Sequence, residues 1–373
     1  MREIESLPDL DVVLSDGRPL RGLRLQDLDL GGHEEQLLAR GDVEGMVVLG
    51  GRMTDDLATH LRAQGALVFP TDPQAPVNPY RASLYQPHEL YEGLTTDGYE
   101  ATPDARAYHW ARDGSVQHDA FVTLLRAVHD DSITDALDEF LGDAPVVGVM
   151  GGHALERGGP AYADAARLGH ALADAGLTVL TGGGPGAMEA ANLGAFSPDA
   201  SALDHALERL GTVPSFRPAI EPWAAVALAL HDELIAQPVP DARVRSVGIP
   251  TWFYGHEPPN VFCNGIAKYF SNAIREDGLL ARCTAGLVIL EGAAGTVQEV
   301  FQSGTRLYYA PEDAVLPVVV LVDRHHWTQA VPVWPALSAL AEGRAMAGRI
   351  HLVDTVEEAA HLVTAATPDS PVG

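Results

Sequence analysis

A doubly wound α/β fold is the architecture this 373-residue sequence predicts. Three observations lead there. Short β-branched runs recur from Val146 onward, helical patterns lie between them, and three of the runs end in glycine-rich turns. Continuous apolar strands alternating with helices mark a mostly parallel sheet covered on both faces. The expected strands are Val146 to Met150, Leu177 to Leu180, Val244 to Phe253 (continuing to Tyr254, Gly255 and His256), Gly286 to Leu290, Leu316 to Val322 and Ile350 to Val353. Helices are expected to open near Pro160, Pro185, Asn260, Thr296, Thr328 and Asp354.

Ahead of this pattern, residues 10–30 read as a strand, an Asp16-Gly17 turn and a leucine-rich return in which Leu20, Leu25 and Leu30 lie five apart. Met46 to Leu49, a helical stretch to Gln64, and Ala66 to Phe69 form a small strand-helix-strand unit. The Gly142-Asp143-Ala144-Pro145 stretch reads as a domain boundary. The expected division is therefore an N-terminal accessory α+β or α/β domain over 1–142, a Rossmann-like domain over 143–366 with a helical insertion at 197–242, and a tail over 367–373.

Composition narrows the chemistry. Lys plus Arg total 24 against 51 Asp plus Glu, a formal charge of −27 that repels a polyanion, so nucleic acid is not an expected partner. Lys268 is the only lysine. No run approaches the ~20 apolar residues of a membrane span, and the N-terminus lacks the basic and apolar pattern of a secretory leader, so the cytoplasm is the expected location. Cys263 and Cys283 are too few for a disulfide framework or a zinc site. His325-His326 lacks the spacing of a helical metal pair, and neither a metal nor a cofactor is expected.

The glycine-rich turns are Gly151-Gly152-His153, Gly182-Gly183-Gly184-Pro185-Gly186 and Gly292-Ala293-Ala294-Gly295-Thr296. In a doubly wound sheet all three gather at the carboxyl edge, where ligands bind. Glycine admits a ligand to the backbone, and a helix start offers amides and a partial positive charge to an anion. Backbone dipoles are thus the expected grip on a phosphate. Gly182-x-Gly184-x-x-Ala187 also fits a dinucleotide fingerprint, but the acidic strand end expected about 20 residues later is missing. No P-loop surrounds Lys268.

If a helix opens at Asn260, then Asn264, Lys268, Asn272 and Arg275 share an arc of roughly 80° on its polar face, which sets the lysine and an arginine near the ligand edge or on a plain solvated face. Glu299 lies three residues after Thr296, which suits a capping box, a carboxylate facing a nucleotide sugar, or both. Met188 and Glu189 fall in the first turn after Pro185-Gly186, where the helix dipole alone favours an acid. His153 could meet a phosphate or a base.

These residues resemble a known family. Tyr162-x-x-Ala165-x-x-Leu168-Gly169-x-x-Leu172-Ala173-x-x-Gly176 followed by Val179-Leu180-Thr181-Gly182-Gly183-Gly184-Pro185-Gly186-x-Met188-Glu189-Ala190-Ala191-Asn192 is similar to the LONELY GUY (LOG) family, as is Gly292-x-x-Gly295-Thr296-x-x-Glu299. The resemblance covers about residues 146–365. It implies a phosphoribohydrolase that splits a nucleoside 5′-monophosphate, cytokinin-type or ordinary, into a free base and ribose 5-phosphate, working as a homodimer or larger homo-oligomer. It further implies that Gly292, Gly295 and Thr296 hold phosphate, that Glu299 serves the ribose, and that Arg275, with Arg282 as fallback, assists; Ala294, in the same turn, is expected to bind the phosphate with them. Glu291 and Ala293 replace a proline and a glycine of the family signature, which leaves a non-catalytic nucleotide sensor or carrier as the alternative.

Overall fold

The structure is a computed structural model that describes residues 2–69, 71–72, 74–114, 119–237, 244–253, 257–311 and 314–367. The expected strand end at Tyr254, Gly255 and His256, the last residues of the 197–242 insertion and the tail from 368 lie outside these residues. The chain forms two compact units, Met1–Leu84 with His109–Glu139, and Tyr85–Tyr108 with Phe140–Gly373.

The first unit carries a four-stranded parallel sheet of β1 (Arg2–Ile4), β2 (Leu23–Gln26), β3 (Val47–Leu49) and β4 (Leu67–Phe69), in that spatial order. The strand expected from residue 10 is instead a helix, Leu7–Ser15. Ser6 caps it by accepting the Asp9 amide, Pro8 sits in its first turn where no amide partner is lost, and Leu10 and Val13 turn into the core. The five-residue leucine recurrence is a burial pattern: Leu20, Leu23, Leu25, Leu28 and Leu30 all lie in this unit's core. The Asp55–Ala63 helix crosses between β3 and β4, as the strand-helix-strand pattern predicts.

The second unit is a doubly wound α/β domain with seven parallel strands. These are β5 (Val146–Met150), β6 (Thr178–Thr181), β7 (Ser246–Gly248), β8 (Gly265–Ile266), β9 (Gly286–Ile289), β10 (Val318–Val322) and β11 (Ile350–Val353). Their spatial order is β11-β10-β9-β5-β6-β7-β8. Every residue of β5, β6, β9 and β10 is buried, which accounts for the unbroken apolar runs. The helices Pro160–Asp174 and Ala187–Phe196 pack so closely that a Cβ on Gly169 would fall 2.0 Å from the Ala191 carbonyl oxygen, and one on Gly194 would fall 1.7 Å from that of Ala166.

Residues 85–108 group with this second unit, although the sequence boundary near 142 assigns them to the first. Buried polar bonds explain the difference. Tyr85 exchanges backbone hydrogen bonds with Ile266, and the Tyr91 hydroxyl donates to the Pro259 carbonyl at 2.6 Å.

The expected helix opening at Asn260 is corrected as well. Residues 260–271 run through the short strand β8, and the helix begins at Asn272, where the Ser271 side chain accepts the Ile274 amide. Asn260 is drawn inward instead: its side chain donates to the Gly184 carbonyl and to Asn192 Oδ1 at 3.2 and 3.0 Å. The supposed polar arc of Asn264, Lys268, Asn272 and Arg275 therefore does not exist as one helical face. Among its described residues the insertion holds two helices, Ala200–Leu210 and Ile220–Ile235.

Candidate functional site

The strand order reverses direction at β5, since β6 lies on one side of it and β9 on the other. The carboxyl ends of β5 and β9 thus bound the crevice where a doubly wound sheet receives ligands. Gly151 and Gly152 leave β5 there, and Glu291 and Gly292 leave β9. The Gly152 amide donates to the Glu291 carbonyl at 2.9 Å, joining the two turns. Gly186, at φ +76, brings the third turn against them: the next amide, Ala187, donates to the Gly152 carbonyl at 3.1 Å, and a Cβ on Gly186 would lie 2.6 Å from that oxygen. All three glycine-rich turns therefore meet at one edge of the sheet.

A polar scaffold that motif reading missed shapes the Gly182–Gly186 turn. Thr181 Oγ1 accepts the Gly183 amide at 3.0 Å and donates to Asn192 Oδ1 at 2.6 Å. The backbone amide of Asn260 donates to the Gly183 carbonyl at 2.8 Å. Asn192 stands in the Ala187–Phe196 helix, and its partner Asn260 lies 68 residues away in sequence. The thioether of Met188 lies over the turn, against Gly182 and Gly184, and Pro185 is buried.

The Ala294–Tyr308 helix starts at the same crevice. Its N-cap is Ala293, which has no side-chain oxygen, so the first-turn amides of Ala294, Gly295 and Thr296 carry no cap of that kind. The capping-box reading of Thr296 and Glu299 is thereby corrected: Thr296 is already the third helical residue, and its hydroxyl packs against Gly292, where a Cβ would lie 2.1 Å from Oγ1. Around Gly295 there is open space, with no atom within 4 Å of a Cβ placed there. His326 braces the loop from outside, its Nε2 3.1 Å from the Gly292 carbonyl. Glu291 turns to Asp323, whose hydrogen bond and charge hold the Glu291 carboxyl above its ordinary pKa.

Glu299 sits one turn further along, 8% exposed. Burial pushes its carboxyl up to about 7, the Arg275 charge pulling it down and Glu276 pushing it further up. Arg275 is itself buried and multiply bonded. Its Nε donates to the Ile249 carbonyl at 2.7 Å, Nη2 to the Gly182 carbonyl at 3.2 Å, and Nη1 to Glu276 at 2.9 Å. Arg275, expected to assist at the site, is held by these bonds: its guanidinium ties the end of β6 to the end of β7, and its charge acts on Glu299. Asn272 donates to Glu276 at 3.4 Å and belongs to the same cluster.

Two expected ligand-binding residues are held in buried ion pairs. Glu189 is 1% exposed and accepts two bonds from Arg157, at 2.9 and 2.5 Å, and one from the Tyr162 hydroxyl at 2.9 Å. That carboxylate is filled by a buried ion pair and not offered to substrate. Lys268 is likewise 1% exposed and pairs with Asp104 at 2.5 Å, a carboxylate that also receives Trp252 Nε1 and the Tyr99 hydroxyl. Asp104 lies 164 residues away in sequence, so no local pattern announced it. His153 is half-exposed at the mouth of the crevice, 3.3 Å from Glu257.

Two cavities open beside the turns. One of about 200 Å³ is lined by His153, Arg157, Pro185, Gly186, Phe216 and Trp223. The other, of about 260 Å³, meets Leu155, Leu290, Glu291, Asp323, Asp354 and Glu357 and is strongly acidic. The carboxylates lining the second cavity make it unfavourable to an anion.

Residues 144–203 match the SLOG cluster4 family. This corrects the resemblance to the LONELY GUY family: the matched stretch contains the whole Tyr162 to Asn192 motif but stops well short of the Gly292 to Glu299 signature, in which Glu291 and Ala293 already depart from that pattern. A glycine-rich turn between a buried strand and a helix is a feature that related families share. No curated protein matches the sequence. Among solved structures, a molybdenum cofactor binding protein from the phototrophic bacterium Rippkaea orientalis aligns at 16% identity with a TM-score of 0.35, over 60% of this chain and 98% of the other.

Proposed function

We propose that the second unit binds a nucleoside 5′-monophosphate and hydrolyses its N-glycosidic bond to a free base and ribose 5-phosphate. The reading rests on one observation above all: a buried carboxyl, Glu299, one helical turn behind an uncapped helix start at the switch point of the sheet. The amides of Ala294, Gly295 and Thr296, with the open space at Gly295, take the phosphate. The carboxylate of Glu299 then faces the ribose. As the glycosidic bond breaks, its electron pair leaves with the base and positive charge grows at C1′, where an anion in a water-poor site stabilises it most. Water adds to C1′, and its proton ends on the departing base. The Arg275 charge opposes the effect of burial on Glu299 and keeps its carboxyl ionisable near neutral pH.

Incubation with a mixed pool of nucleoside monophosphates, followed by mass spectrometry, tests this. Ribose 5-phosphate and one or more free bases should appear, and Glu299→Gln should release none while remaining folded. The Glu291 carboxyl and the Ala293 methyl beside the loop favour a second reading, a non-catalytic nucleotide sensor or carrier. Equilibrium binding without ribose 5-phosphate over many hours supports that reading and refutes the hydrolase.

A further inference from the structure

The second unit brings together, far from the glycine-rich turns in sequence, three side chains that the reading above does not use. His231 and Asp232 stand in the last turns of the Ile220–Ile235 helix, and His88 stands in the short Pro87–Leu90 helix. One donor atom from each lies within 4.8 Å of the other two. His88 Nε2 is 2.6 Å from Asp232 Oδ1, and His231 Nδ1 is 3.5 Å from the same oxygen. His231 is buried, and its ring is stacked on Phe196 with centroids 5.1 Å apart and planes at 16°, which fixes its direction. The two histidine rings meet edge to face at 5.8 Å.

We propose that His88, His231 and Asp232 form a divalent transition-metal site, of which Zn²⁺ is the simplest occupant. Zinc bound at about 2.0–2.2 Å to imidazole nitrogen and carboxylate oxygen sets its donors about 3.4 Å apart in a tetrahedral arrangement. The His231–Asp232 separation already matches. The His88–Asp232 separation must open by less than 1 Å, which needs only a rotation of two side chains that are 57% and 58% exposed. Two imidazoles and one carboxylate are the donor set of open zinc sites, in which water completes the coordination. The half-exposed partners leave that side to solvent, while the buried, stacked His231 supplies the rigid ligand such a site requires. The metal ties the Pro87–Leu90 segment to the end of the insertion helix. This site is independent of the nucleotide reading.

The test uses the full chain, stripped with a chelator and exchanged into metal-free buffer. Titration with Zn²⁺ against a chromophoric competitor should show one equivalent bound per chain. Co²⁺ should give visible bands of a four- or five-coordinate site. His88→Ala and Asp232→Ala change half-exposed side chains and leave the fold intact by circular dichroism. Each should weaken binding by roughly 100-fold and remove the Co²⁺ bands. Absence of stoichiometric binding, a Co²⁺ spectrum of the hexa-aqua ion, or undiminished affinity in both variants would overturn the proposal.

Discussion

Replacing Glu299 by glutamine tests the electrostatic core of the site without reference to any substrate. Glutamine keeps the shape of the side chain and removes its ionisation. In the native protein burial lifts the Glu299 carboxyl from 4.5 to about 7. An acid whose folded pKa lies above its unfolded value binds its proton more tightly in the native state, so stability is highest at low pH and falls as pH rises from about 4.5 to about 7. Each pKa unit corresponds to 1.36 kcal/mol, and the whole difference amounts to about 3 kcal/mol. The glutamine side chain carries no such dependence. Glu299→Gln and the native protein should therefore differ little at pH 4.5, whereas at pH 8 the variant should be more stable by about 3 kcal/mol. Urea unfolding at both pH values, followed by fluorescence of Trp223, Trp252, Trp327 and Trp334 in the second unit, measures this directly. A difference between the two proteins that is the same at pH 4.5 and pH 8 would refute a buried, perturbed carboxyl at 299.

On the proposed hydrolase reading, the same ionisation would set the rate profile. If the carboxylate form of Glu299 acts on the ribose, kcat/KM should rise tenfold per pH unit below about 7 and level off above it; a flat profile from pH 5 to 8 excludes that role. Gly194→Ala should destabilise the second unit by roughly 3 kcal/mol or more, because the new methyl meets the Ala166 carbonyl 1.7 Å away in a packed helix pair, and thermal melting of the variant reads this out. Arg157→Ala should cost roughly 3–5 kcal/mol by stranding the buried Glu189 carboxylate, whereas the double replacement Arg157→Met with Glu189→Leu should recover most of that loss in urea titrations. Recovery distinguishes a structural ion pair from a ligand-binding acid.

The buried parallel strands were legible because both of their faces are covered, which leaves continuous apolar runs such as Val318–Val322. The glycine-rich turns were legible for a similar reason: a positive φ at Gly183 and Gly186, or a close approach such as Gly151 to Ala187, excludes most other residues. The helix expected at Asn260 failed where tertiary bonds outweighed a local pattern. Asn260 is an excellent N-cap in isolation, but the Gly184 carbonyl and Asn192 claim its side chain. The strand expected at residue 10 failed because Ser6, four residues ahead, caps a helix that buries Leu10 and Val13.

The amino-acid sequence alone thus determined the class of fold and the meeting of glycine-rich turns at one sheet edge, because strand burial and backbone conformation leave marks at short spacing. It could not decide which charged side chains serve a ligand. Arg275, Glu189 and Lys268 look alike as candidates, yet each is already engaged by groups distant in the chain: two carbonyls, Arg157 and Asp104. Likewise His88 and His231 share no helix, so a search for helical metal spacing passes over them. Ionic and metal-binding chemistry depends on distances of a few ångströms between residues far apart in sequence, and only the folded chain sets those distances.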